Sequence, residues 1–278
     1  MGAFTPDWLA LREPADAAAR SSRLAGLAGG ALGQNVVHAL DLGTGTGANI
    51  RYLVDRLPAR QDWLLVDDDP RLIEEAARMG VSGAVRRVDL AREIESAELG
   101  IFAGRELVTA SALLDLVSER WLHALAVKCR RVGAVVLFAL TYDGEIRCRP
   151  EDPEDEAIRE LVNRHQRSDK GFGAALGPAA AEVAGRCFSD LGYHVECEPS
   201  PWILTPDVRD VRDGEPAAWT KTAELQRLLI EGWAEAASDV AHERRPSIAQ
   251  WRNRRLAQVL AERSHITVGH VDMVAWLP

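Results

Sequence analysis

Chemistry in this chain centres on the stretch Asp41-Leu42-Gly43-Thr44-Gly45-Thr46-Gly47-Ala48. Its three glycines, at alternate positions, follow the apolar run Val36 to Leu42 and precede an amphipathic segment. Glycines between a strand and a helix let the chain reverse sharply and let a ligand approach the backbone with no Cβ in the way. About 20 residues further on, Asp67 closes the next apolar run, Leu64-Leu65-Val66, and Asp68 and Asp69 follow it. A carboxylate at that place can accept both hydroxyl protons of a ribose. One run later Asp89 follows Val85-Arg86-Arg87-Val88, and Thr109-Ala110-Ser111 closes the fourth run. Blander roles exist for each acid. Asp69-Pro70 reads as a helix cap with a first-turn proline, and Asp89 taken alone is a strand-end carboxylate. Spacing from the glycine loop favours a binding role for Asp67 and much less so for Asp69.

Two kinds of cofactor must be separated, because Gly43 to Ala48 also satisfies G-x-G-x-x-A, the pattern of nicotinamide and flavin sites. Asp41 is the discriminator. A carboxylate two residues before the first glycine repels a pyrophosphate but tolerates a ligand carrying an ammonium and a sulfonium. That points to S-adenosylmethionine. Here the chain resembles the class I S-adenosylmethionine-dependent methyltransferases, whose first motif is an acid, any residue, then G-x-G-x-G. The resemblance covers about residues 36–140. It implies that Asp41, Gly43, Thr44, Gly45 and Gly47 contact the methionine part of the cofactor and that Asp67, with Asp68 beside it, holds the ribose. It also implies that Asp89 bonds the adenine amino group, that Leu90 offers backbone contacts to the ring, and that Ser111 lies beside the reacting methyl. Asp68 and Asp69 depart from the family, which more often has apolar and small residues there.

Methyl transfer from a sulfonium is an in-line displacement, so alignment and exclusion of water are much of the task. An oxygen or nitrogen acceptor must also lose a proton, and a general base helps. Asp115, four residues past Ser111, can reach the strand-end edge where ligands of open α/β sheets lie; a turn carboxylate is its other reading. Tyr142, in Thr141-Tyr142-Asp143-Gly144, is placed to frame an acceptor. The stretch Asn163 to Lys170, before Gly171-Phe172-Gly173, reads either as a solvated face or as a lid over a small polar or anionic acceptor. Asn163 and His165 are its candidate acceptor contacts, and His165 is a second candidate base because imidazole titrates near neutrality. Of the eight tryptophans, Trp202, Trp219, Trp233 and Trp251 read as core by default. Alternatively, the insertion and an N-terminal segment carrying Trp8, Arg12 and Arg20 close over the cofactor pocket.

These residues need a scaffold. Apolar runs at Val36 to Leu42, Trp63 to Asp67, Ala84 to Asp89, Leu107 to Ser111 and Val132 to Leu140 alternate with helical periodicity, as in Ile50, Leu53, Val54 and Leu57. A sixth strand is expected over Tyr193 to Leu204 and a seventh over Ile266 to Leu277. The expected class is α/β: a doubly wound, mostly parallel seven-stranded sheet of the Rossmann-like methyltransferase kind, with a helical insertion before the last strand. One domain is expected, with an N-terminal helical segment over 1–34, an α/β core over 35–204 and 265–278, and the insertion over 205–264.

Composition narrows the partners. The 278 residues are 47% hydrophobic and carry a formal charge of −9, which opposes general attraction to nucleic acid or anionic lipid. Neither a membrane-spanning run nor a leader pattern is evident, so a cytoplasmic protein is expected. The four cysteines form no C-x-x-C pair, the histidines show no ligand spacing, and no metal is expected. The expected activity is methyl transfer to a small molecule. The rival readings are an NAD-dependent oxidoreductase and a non-catalytic S-adenosylmethionine-binding protein.

Overall fold

The computed structural model describes residues 5–33, 36–58, 60–78, 83–206 and 220–278. Two helices, α1 (Pro6–Ala19) and α2 (Ser22–Ala31), precede a parallel strand series: β1 (Val37–Leu42), β2 (Gln61–Asp67), β3 (Gly83–Arg87), β4 (Leu107–Ser111) and β5 (Val135–Arg149). Helices α3 (Ala48–Leu53), α4 (Pro70–Ala77), α5 (Leu90–Glu95) and α6 (Glu119–Val132) connect them. Then come α7 (Asp155–Gln166), α8 (Ala180–Asp190), β6 (His194–Pro199), β7 (Trp202–Leu204), α9 (Lys221–Val240), α10 (Arg245–Leu260) and β8 (His265–Trp276). Trp219 lies outside the described residues.

The strand order is β3-β2-β1-β4-β5-β8-β6, with β7 pairing the other end of β8. β1 to β5 are mutually parallel, and β8 runs antiparallel to β5, β6 and β7. This is the doubly wound, mostly parallel arrangement expected from the sequence, with the last strand reversed. Alternate residues serve opposite faces: Val37 and Ala39 join Leu24, Ile50 and Leu53 in one cluster, whereas Leu40 and Leu42 join Leu122, Leu125 and Phe188 in the other. Each fully buried aliphatic side chain of these layers stabilises by about 1.5–3 kcal/mol, which fixes the strand ends where the site is built.

Four boundaries differ from the expectation, each for a local reason. Val132 ends α6 rather than opening β5, because Gly133 takes the left-handed cap at φ 68°. Tyr193 to Leu204 is not one strand: it breaks at Ser200-Pro201, where Ser200 donates its amide to the His270 carbonyl and its hydroxyl to Asp272, so the sheet has eight strands. Asp89 is not in β3. It caps α5, its carboxylate accepting from the Ala91 and Arg92 amides. Finally, β5 does not stop at Leu140. A bulge there, with Leu140 at φ 55°, redirects the strand, and β5 and β8 continue together past the parallel sheet to Arg149 and His265. Onto this extension pack α7, α9 and α10, burying Ile158, Leu161, Trp202, Trp233, Ile248 and Trp251 in a separate apolar cluster. Among the described residues no helix is long and apolar enough to cross a membrane.

Candidate functional site

At the carboxyl ends of β1, β2 and β4 lies a cleft of about 750 Å³, the place an open α/β sheet offers a ligand. The glycine loop forms its floor. Gly43 and Gly45 have φ of 62° and 56°, a conformation that side chains resist. A Cβ on Gly45 would also sit 3.1 Å from Leu9 of α1. The loop is held by the Thr44 amide, which donates to the Val66 carbonyl (3.0 Å), and by the Gly45 amide, which donates to Asp67 (2.9 Å). The other Asp67 oxygen accepts from the Asp69 amide (3.0 Å). Thr44 lines the cleft, and its buried hydroxyl lies beside Asp41, whose carboxylate it stabilises.

Most residues singled out from the sequence meet here. Gly43, Thr44, Gly45, Asp67, Asp68, Asp89, Leu90 and Ser111 all line the cleft, as does Asp69. Asp68 is exposed and paired with Arg87 (3.1 Å), and the Asp69 carboxyl, held by Arg71, titrates at about 2. Asp41 and Gly47 are placed differently. Gly47 caps α3 beneath the loop, and Asp41 is buried under it. One Asp41 oxygen accepts from Thr109 (2.7 Å) and from the Asn49 amide, and the Thr44 hydroxyl also stabilises the carboxylate. Asn49 in turn accepts from buried Arg20 (2.7 Å). Burial raises the Asp41 pKa against these hydrogen bonds. Asp41 therefore braces the loop from below rather than touching the cleft, and the signal that could have exposed this is its position inside an otherwise apolar strand.

A second cavity, of about 240 Å³, adjoins the first. Arg12, Ala112 and Leu116 line both, so the two share a wall. Ala112, at φ 52°, and Leu140, at φ 55°, both line the second cavity; among the described residues they and Glu262 are the non-glycine positions in that conformation. Backbone strain of this sort persists where the surroundings hold it, often at functional sites. Asp115, in a 3-10 turn over Leu114–Leu116, reaches the cavity 7% exposed with Oδ1 unpartnered. Burial pushes its carboxyl up to about 6, with the Arg12 charge and the Tyr142 amide opposing.

His165 lines the same cavity, half-buried, with exposed Asp239 3.9 Å away; burial and Lys170 lower its pKa. Tyr142 also lines it and donates to Asn163 (2.7 Å). Asn163 does not line the cavity but fixes that phenol, donating its own amide to the Gly144 carbonyl (3.0 Å). Lys170, Gly171 and Phe172 face the larger cleft instead, with Phe172 edge-on to Trp121 at 5.5 Å. Three further residues of the smaller cavity are brought together only by the fold. Trp8, Trp202 and His270 come from α1, β7 and β8. His270 is 6% exposed, its Nδ1 has no partner, and burial and Arg12 push it down to about 3. Arg12 is bound to Asp16 through two hydrogen bonds (2.9 and 3.1 Å) and lies over Trp202, whose indole donates to the same Asp16 (3.0 Å). Trp251 is core, donating to Asp155 (2.8 Å).

No family model and no curated protein matches the chain. In solved structures it is similar to methyltransferases. One is an S-adenosylmethionine-dependent methyltransferase from Thiobacillus denitrificans in complex with S-adenosylhomocysteine, 14% identical over 98% of each chain, with a TM-score of 0.44. Another is a cyclopropane synthase from Mycobacterium tuberculosis, 10% identical over 90% of this chain and 82% of that one, with a TM-score of 0.44.

Proposed function

We propose that this protein is an S-adenosylmethionine-dependent methyltransferase that binds its cofactor in the larger cleft and a small-molecule acceptor in the smaller cavity. The observation that carries the reading is the wall common to both: Arg12, Ala112 and Leu116 line a nucleotide-type cleft on one side and, on the other, a cavity holding a buried carboxylate with one free oxygen. The cleft suits the cofactor chemically. Backbone at Gly43 to Gly45 allows close approach, and Asp67 and Asp89 place acceptors at the end of the second strand and just after the third. When bound, the cofactor supplies a methyl group activated by a sulfonium.

The protein's own residues do the rest. Asp67 and Asp89 fix the nucleoside end, and Ser111 and Ala112 mark the passage between the cavities. Tyr142, held by Asn163, shapes the acceptor side, and α1 covers both cavities and excludes water. Asp115 takes the acceptor's proton; His165 stands at the mouth for its relay. Calorimetry tests the reading: S-adenosylhomocysteine binds with 1:1 stoichiometry and NAD does not. Binding of NAD alone overturns it in favour of a nicotinamide enzyme. Cofactor binding without label transfer to any component of a metabolite extract favours a non-catalytic binder.

A further inference from the structure

The smaller cavity has a chemical character that narrows the acceptor. Its walls are aromatic and aliphatic: Trp8, Trp202 and Trp233 with Tyr142, Leu229 and Val268. Its fixed charges are unbalanced. Asp115 is buried inside it, and Glu235 and Asp239 of α9 stand exposed where it meets solvent. Arg12 is the cation facing it, and that charge is already committed to Asp16 through two hydrogen bonds and to the face of Trp202 at 4.9 Å. His270 is held neutral by burial. Lys170 lies against the other cleft, donating to Ser168 (2.8 Å) and to the His165 carbonyl (3.2 Å). Among the described residues that line the cavity, an anionic ligand would meet no uncommitted cation, contrary to the lid reading of Asn163 to Lys170. An uncharged ligand would leave Asp115 with only the charge of Arg12, which Asp16 already shares. Aromatic faces with a desolvated carboxylate are what an organic ammonium selects.

We propose that the methyl acceptor is a small organic amine with an apolar body, seated with its nitrogen against Asp115 and its body among Trp8, Trp202 and Trp233. This rests on the methyltransferase reading for the cavity's role, but the charge preference belongs to the cavity itself. The amine enters as an ammonium drawn by Glu235 and Asp239. Inside, desolvation lowers its pKa while raising that of Asp115, so the two converge. One N–H proton passes to the Asp115 carboxylate, leaving the nitrogen lone pair free and Asp115 neutral.

The experiment titrates the full-length protein, with and without S-adenosylhomocysteine, with matched series: phenethylamine, phenethyl alcohol and phenylacetate, and then tryptamine, tryptophol and indole acetate. Amines bind at least about tenfold more tightly than the matched alcohols and carboxylates, the scale of a cation held by an aromatic face and a buried carboxylate. Asp115→Asn abolishes that preference while leaving S-adenosylhomocysteine affinity intact, which also shows that the variant folds. Equal or tighter binding of the alcohols or carboxylates, no binding in either series, or an amine preference that survives Asp115→Asn overturns the proposal. Failure of S-adenosylhomocysteine to bind sinks the methyltransferase reading instead, and the amine preference is then judged from the titrations without it.

Discussion

The two cavities are built on opposite principles. The larger cleft is made chiefly of strand ends and the turns after them, namely the loop after β1, the acid after β2, the cap after β3 and the end of β4, with residues of α1 and Lys170 to Phe172 also lining it. The smaller cavity is made of side chains from α1, β5, α7, β7, α9 and β8, spread from Trp8 to His270. A backbone site can change few residues and still hold the same ligand, because the turn geometry does the recognising. A side-chain site of that breadth can be altered one wall at a time. On the proposed reading, this contrast makes the cleft the part that sets the cofactor and the cavity the part that sets the acceptor.

The largest expected effect tests the cleft. Asp67 accepts the Gly45 and Asp69 amides and keeps lone pairs for the ligand. Asp67→Ala is expected to lower S-adenosylhomocysteine affinity about 100-fold, the scale of two charge-assisted hydrogen bonds, with calorimetry as the measurement. The titration behaviour of Asp115 is expected to be unchanged. A variant in which both fail together would break the contrast, since the cavities would then form one cooperative unit.

A smaller effect, of opposite sign, tests the cavity. Asp115 titrates at about 6 in the folded protein and at about 4 when unfolded, so the folded chain holds that proton more tightly. Its ionised form costs stability above pH 6, on the order of 3 kcal/mol at most, and nothing below about pH 4. His270 behaves in reverse. It titrates at about 3 folded and near 6.5 unfolded, so its stability contribution is full above pH 6.5 and is lost as pH falls toward 3. Between pH 4 and 6 the two slopes oppose each other. Asp115→Asn is therefore expected to raise stability at pH 7 by about 1–2 kcal/mol, less than the full cost because the amide also lacks a partner. Denaturant unfolding across pH should show that gain shrink as pH falls and reverse by about pH 4, where only the cost of the unpartnered amide remains. A gain that is constant with pH would mean Asp115 is not buried as a carboxylate.

The same contrast explains what could be read from the chain before its fold. The glycine loop, Asp67 and the parallel strands are local signals: a turn, a spacing, a run of apolar residues. Asp41 was legible as unusual but not as a brace, because its partners Asn49 and Thr109 matter only once β1 lies beside β4. The cap role of Asp89 was hidden by the apolar residues before it, although Leu90 and Ile94 already stood one helical turn apart. The acceptor cavity was legible only in pieces. Asp115, Tyr142 and His165 could be named from strand-end position and residue type, but nothing in the chain joins them to Trp202 and His270. That juncture depends on the bulge at Leu140 and on β5 continuing beside β8, and a polar stretch such as Thr141 to Arg149 reads as a loop because its register shifts interrupt the alternation.

The smallest effect separates neighbours within the cleft. Asp69 lines it, two residues after Asp67, but its carboxylate is occupied as the cap of α4, accepting from the Arg71 amide (2.9 Å) and paired with the Arg71 guanidinium (2.6 Å). Arg71 holds the Asp69 carboxyl down to about 2, so the cap stays ionised across the ordinary pH range and its contribution should not vary above pH 4. Asp69→Ala is expected to cost about 1 kcal/mol of stability, as lost N-caps do, and to change S-adenosylhomocysteine affinity by less than about threefold. Both follow from thermal unfolding and calorimetry on one sample. An affinity loss as deep as that of Asp67→Ala would mean that the cleft reads successive carboxylates as a group rather than Asp67 alone, and the departure of Asp68 and Asp69 from the family pattern would then be part of how this chain holds its cofactor.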